Sequence, residues 1–141
     1  VATTWYTGWH AQYMPLETIS WDKYSSISYA FGETTPDASV ISLQDSDREL
    51  LPKLVELAHQ NNVAALLTVG GWTGSRYFST AVASAESRTA FANAVLQLVD
   101  EYKLDGVDFD WEYPNKQGMG CNVISDQDTP NFLAFLQELR S

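Results

Sequence analysis

The chain has 141 residues, a formal net charge of −10, 45% apolar residues and 18% charged ones. Such a chain suits one globular domain burying about 70% of its unfolded surface, and it excludes a disordered tail. So acidic a protein lacks the basic patches that nucleic acids and anionic membranes require, and no apolar run approaches the roughly 20 residues that cross a bilayer. Strand-like sequence begins almost at Val1, so no leader peptide is expected, and an exported protein would be in its mature form. The lone Cys121 allows neither an internal disulfide nor a cysteine-based zinc site.

In chain order, "TTWYTGW" (3–9) and "SSISYAFG" (25–32) are β-branched or aromatic and predict two strands. A helix is expected within 46–60, with Ser46 and Glu49 as its capping box; Pro52 alternatively serves as its first residue. "VAALLTVGG" (63–71) is a continuous apolar run, as in a strand covered on both faces. Phe91, Val95, Leu98, Val99 and Tyr102 form one stripe of a helix near 84–102. "LDGVDFDWEYP" (104–114) is the fourth strand, and a polar loop (115–128) leads to a last helix with Thr129 as N-cap and Pro130 as first helical residue. The alternation predicts an α/β fold of parallel βαβ units, and with no stop signal after Arg140 the series is expected to be cut, not concluded.

The fourth strand carries the chemistry. Alternate strand residues share a face, so Gly106, Asp108, Asp110 and Glu112 point one way and Val107, Phe109 and Trp111 the other. Three carboxylates on one face must line something polar, which in a parallel sheet lies at the strands' C-terminal ends. Two charges about 7 Å apart at an effective dielectric of 20 repel by about 2.4 kcal/mol, so at least one acid is expected to hold a proton, shared within Asp110–Glu112. A proton held there is what a general acid needs.

Two other readings compete. A hard-cation site lacks an EF-hand's spacing and any evident completing ligand. A structural ladder would need basic partners, and the chain has only eight Lys and Arg. Acid catalysis fits better. Because all three acids hang from one face of one strand, none reaches the far side of an anomeric carbon, where a second carboxylate usually acts. The attacking group then comes from another strand or from the substrate itself, such as a sugar's N-acetyl group.

Asp105, Asp108, Asp110 and Glu112, followed by Tyr113-Pro114, reproduce the D-x-x-D-x-D-x-E motif, and the chain resembles the family 18 glycoside hydrolases, the chitinases and their relatives. "WYTGW", "YAFG", "LLTVGGW" and "NFLAFLQELR" resemble further family segments, with Thr68 in place of the usual third-strand serine. The resemblance implies the first half, about four strands, of a TIM (β/α)8 barrel, so residues 1–141 would be a partial catalytic domain. It implies Glu112 as the acid, Asp110 as the group orienting the N-acetyl, Asp108 as its hydrogen-bonding neighbour, and Asp105 as structural. It further implies Tyr6, Phe31, Gly71, Trp72 and Tyr113 as substrate-binding, with barrel packing an equal alternative for Phe31.

No metal or cofactor is implied. The implied partners are chitin or N-acetylglucosamine oligosaccharides and, for the missing Met-x-Tyr-Asp motif and last-strand tryptophan, a second half-barrel as a separate chain or a homodimer partner. The implied setting is extracellular. A glycoprotein-directed endo-β-N-acetylglucosaminidase shares the ladder, and a sugar-binding or inert half-barrel is the alternative to an enzyme.

Overall fold

The computed structural model describes residues 1–141. Four parallel strands stand side by side in chain order: β1 (Thr3–Thr7), β2 (Ser26–Thr34), β4 (Ala64–Gly70) and β5 (Gly106–Asp110). A two-residue strand, β3 (Ile41–Ser42), pairs antiparallel with the end of β2. The connecting helices are α1 (Asp45–Gln60), α2 (Gly71–Gly74), α3 (Phe78–Val82), α4 (Ala85–Tyr102) and α5 (Asp128–Arg140). The parallel βαβ expectation holds. The short β3, α2 and α3 were not foreseen, being too brief to carry a periodicity.

One sheet face is apolar because every second strand residue is. Ile27, Tyr29, Ala65, Leu67 and Val69 are buried there beneath the helices. At the β5 end an aromatic cluster closes the core. Phe91 and Phe135 stack at 4.9 Å, Phe109 meets Phe135 edge-on at 5.3 Å, and Phe78 stacks on Trp111 at 5.2 Å. Such pairs add about 0.5–1.5 kcal/mol each beyond the area they bury. The one buried polar contact in the α1 layer is satisfied: the Tyr29 hydroxyl donates to Asp47 Oδ1 at 2.5 Å.

Helix α1 begins one residue before the expected window, and its reciprocal cap uses Asp47, whose Oδ2 accepts from the Gln44 amide at 3.2 Å. Asp47 wins over Glu49 because the same carboxylate also meets Tyr29. Pro52 sits inside the helix, not at its start. It forfeits one i→i−4 bond, which the buried Leu51, Leu54, Val55 and Ala58 offset. Helix α4 starts where expected, with Ser84 Oγ accepting from the Ser87 amide at 3.1 Å. Helix α5 starts at Asp128 with Gln127 before it, so Thr129 and Pro130 lie inside the first turn. Thr129 does not act as the cap: its hydroxyl and its amide both donate to Asn115 Oδ1.

Asp105 and His59 tie the opposite end of the sheet. Asp105 Oδ2 accepts from the Ala65 amide and meets His59 Nε2, both at 2.8 Å. This fits a structural reading of Asp105. Burial alone would raise this carboxyl, but the Ala65 amide and the His59 ring hold it below the ordinary aspartate value. A lowered folded value means that the ionised group stabilises the fold above about pH 4, and that the contribution is lost as pH falls through the lowered value. Asp105→Asn is therefore expected to cost about 1 kcal/mol at pH 7, after allowance for solvent screening. Thermal melting of both proteins from pH 7 to pH 2 should show the gap closing as the solution becomes acid.

Candidate active site

The strand register brings the polar face together. Thr68 stands opposite Asp108 and Gly70 opposite Asp110, while Ala30 of β2 lies opposite Thr68. Asp108 and Asp110 line an open cleft of about 310 Å³ together with Trp5, Phe31 and Phe109. A larger hollow of about 500 Å³ lies at the other end of the sheet, around the His59–Asp105 pair. It holds no comparable set of acids, so the smaller cleft is the chemical candidate.

Within that cleft Asp108 Oδ2 accepts two hydrogen bonds, from Thr68 Oγ1 at 3.0 Å and from Trp5 Nε1 at 3.3 Å. The indole N–H can only donate, so Asp108 Oδ2 is the acceptor in the bond from Trp5. Burial raises the Asp110 carboxyl above the ordinary aspartate value, and three further causes act the same way. These are the neighbouring Glu112 charge, a hydrogen bond with Glu112, and the charge on Asp108. Asp110 therefore gives up its proton at a higher pH than an ordinary aspartate does.

Strand pairing stops at Asp110, so Glu112 is not the last residue of the strand but stands two positions beyond it. Glu112 does not itself line the cleft; it joins the site through its hydrogen bond with Asp110. Its position comes from the backbone. The Glu112 amide donates to Ser75 Oγ at 2.9 Å, and Asn122 Nδ2 donates to the Glu112 carbonyl at 3.1 Å. Trp111 turns to the helix side, buried between Phe78 and Phe132.

Tyr6 is a correction. It is 4% exposed and points to the helix side, where its ring neighbours Tyr29 at 6.0 Å and its hydroxyl donates to the Met14 carbonyl at 2.9 Å. The cleft position on β1 belongs to Trp5, 62% exposed. The "WY" pair has two adjacent aromatics, and only the register of β1 against β2 decides which faces the acids. Phe31 lines the cleft and stacks against the exposed Trp9 at 5.8 Å. Gly71 serves that ring: with φ +78°, a Cβ there would stand 3.0 Å from Phe31. Trp72 is 50% exposed at the start of α2, and Tyr113 is exposed beyond Glu112. Trp5, Trp9, Ser75 and Asn122 are site residues that no sequence pattern singled out.

The model of the glycosyl hydrolases family 18 matches residues 2–141. A chitinase-like effector of Moniliophthora roreri is 45% identical over 141 residues, all of this chain and 34% of that protein. An endochitinase of Manduca sexta is 34% identical over 131 residues, 89% of this chain and 23% of that protein. A chitinase crystal structure from Rhizomucor miehei superposes with a TM-score of 0.87 at 38% identity, covering 98% of this chain and 42% of the other. The chain thus spans 34% and 23% of these two relatives' lengths, and its four parallel strands are the N-terminal part of the barrel of such chitinases. By its motif, its strand order and these matches, the chain belongs to family 18 of the glycosyl hydrolases.

Proposed function

We propose that residues 1–141, as a partial catalytic domain, supply the acid-bearing half of a site that hydrolyses β-1,4-linked N-acetylglucosamine polymers with retention. The observation that carries this reading is the row of Asp108, Asp110 and Glu112 at the sheet's C-terminal end, with the proton affinity of Asp110 raised. Glu112 donates its proton to the bridging oxygen as the bond from C1 to that oxygen breaks. The carbonyl oxygen of the substrate's own N-acetyl group bonds to C1, with Asp110 orienting its N–H. Water then adds to C1 from the opposite side, its proton returns to Glu112, and the N-acetyl group is released with the configuration retained.

Trp5, Phe31 and Trp9 offer flat apolar faces along the cleft and its mouth, suited to the C–H faces of sugar rings. Trp72 and Tyr113 extend that exposed set, and chitin or its oligosaccharides are the partners it fits. The remaining wall is supplied by a second half-barrel, from the rest of a longer chain or from a partner chain. An extracellular setting follows from the location of chitin.

A second reading is a half-barrel that binds chito-oligosaccharides without cutting them, favoured by the relative named as a chitinase-like effector. Turnover of a fluorogenic chitobioside, with calorimetry on N-acetylglucosamine oligomers, separates the two. Turnover by the barrel-completed protein supports hydrolysis, binding without turnover supports the second reading, and neither rejects both.

A further inference from the structure

Resting on the reading of Glu112 as proton donor, we propose that Ser75 is a positioning residue that aims Glu112 by holding the backbone on either side of Trp111, with Asn122 as its counterpart from the other side. Nothing in the sheet can do this, because pairing ends at Gly70 opposite Asp110. Ser75 is fully buried, and its hydroxyl is used twice. It donates to the Asp110 carbonyl at 3.0 Å and accepts from the Glu112 amide at 2.9 Å. One side chain, 37 residues away in sequence, thereby closes a ring across Asp110, Trp111 and Glu112.

The other half of the cradle comes from the loop after β5. Asn122 Nδ2 donates to the Glu112 carbonyl, and the Asn122 carbonyl is held in turn by Gln117 Nε2 at 3.1 Å. Asn122 is buried, and its Oδ1 has no hydrogen-bond partner. An unpaired buried acceptor lowers stability, and it is tolerated here where the same amide grips Glu112. Two glycines let these segments close in. A Cβ on Gly118 would stand 2.2 Å from the Glu112 carbonyl oxygen, and one on Gly70 would stand 2.2 Å from that of Asp110.

The amide and the carbonyl of Glu112 are therefore both fixed, and Trp111 is locked in the aromatic cluster. Only the side-chain torsions of Glu112 remain free. Ser75 has no exposed surface with which to touch a sugar, so it acts only through the backbone of Asp110 and Glu112. Freeing the backbone lets the carboxyl drift from the bond to be cleaved, and a misplacement of about 1 Å costs up to about 10²-fold in rate.

The test is Ser75→Ala in the full-length protein, with Ser75→Thr as the variant that restores the hydroxyl. The expected result is a kcat lowered by about 10- to 10²-fold at nearly unchanged KM, with recovery in Ser75→Thr. In parallel, carbon-detected NMR titration of the Asp110 carboxyl should show its midpoint falling toward an ordinary aspartate value, because Glu112 moves away from it. If Ser75→Ala does not fold, Asn122→Ala is read by the same two measurements. A kcat that falls only with the folded fraction, or an Asp110 titration unmoved by the substitutions, overturns the positioning role. Should the parent protein lack turnover while the titration still moves, the cradle stands and the hydrolytic function falls.

Discussion

Glu112→Gln is expected to lower kcat on N-acetylglucosamine oligomers by about 10²- to 10⁴-fold while leaving their affinity within a few-fold of the parent. The amide keeps the size of the acid and both backbone bonds, to Ser75 and from Asn122, so the cradle stays formed. What it loses is the proton that would pass to the bridging oxygen. Steady-state kinetics of the barrel-completed protein, with calorimetry on the same oligomers, measures both. Undiminished turnover in Glu112→Gln would remove Glu112 from the reaction.

Asp110→Asn is expected to separate activity from stability in opposite directions. The Asp110 carboxyl is raised by burial, by Glu112 and by Asp108, so the folded protein holds this proton more tightly than the unfolded chain does. From about pH 4 up through the raised value, Asp110 ionises against its neighbours, and the fold loses stability as pH increases. Asn carries no charge to be repelled. The variant should therefore melt at a higher temperature than the parent at neutral pH, with the difference shrinking in acid. Its kcat should fall by about 10²- to 10³-fold, because the group proposed to orient the N-acetyl has changed. A variant less stable than the parent at pH 7 would show that the three carboxylates do not repel as their spacing demands.

Both effects were legible in one strand because its apolar positions left no choice of face. Val107 and Trp111 had to lie under helices, which put Asp108 and Asp110 on one face, and the register with Thr68 and Gly70 agrees; Glu112, two residues past the paired strand, is held by contacts outside the sheet. Asp105 was legible for the same reason, being on the wrong parity for the cleft. The β1 face was not legible. Two adjacent aromatics satisfy either parity, and the indole bond from Trp5 to Asp108 spans 103 residues. The α1 boundary was ambiguous because "QDSDRE" offers overlapping capping patterns, and a tertiary contact between Asp47 and Tyr29 decides among them. Ser75 and Asn122 were invisible for a further reason. They act on Glu112 by side-chain bonds to backbone over 37 and 10 residues, and no local pattern encodes such bonds.

The same distinction explains why fold and chemistry are unequally robust here. The barrel segment rests on many apolar contacts, any one of which could shrink by a methylene for about 0.5–1.5 kcal/mol. The acid's aim rests on two hydrogen bonds and the close approach at two glycines, Gly70 and Gly118. A sequence can drift through the first set and keep the barrel, while a single change in the second leaves a folded protein with a misdirected proton.

Everything turns on whether that proton can reach a glycosidic oxygen. The direct measurement is a crystal structure of the Glu112→Gln variant, in the barrel-completed protein, with an N-acetylglucosamine tetramer bound. The expected result is sugar rings over Trp5 and Phe31, the new amide within about 3 Å of a bridging oxygen, and an N-acetyl group folded toward Asp110. A tetramer seated elsewhere, or one whose bridging oxygens all lie beyond reach of residue 112, would contradict it.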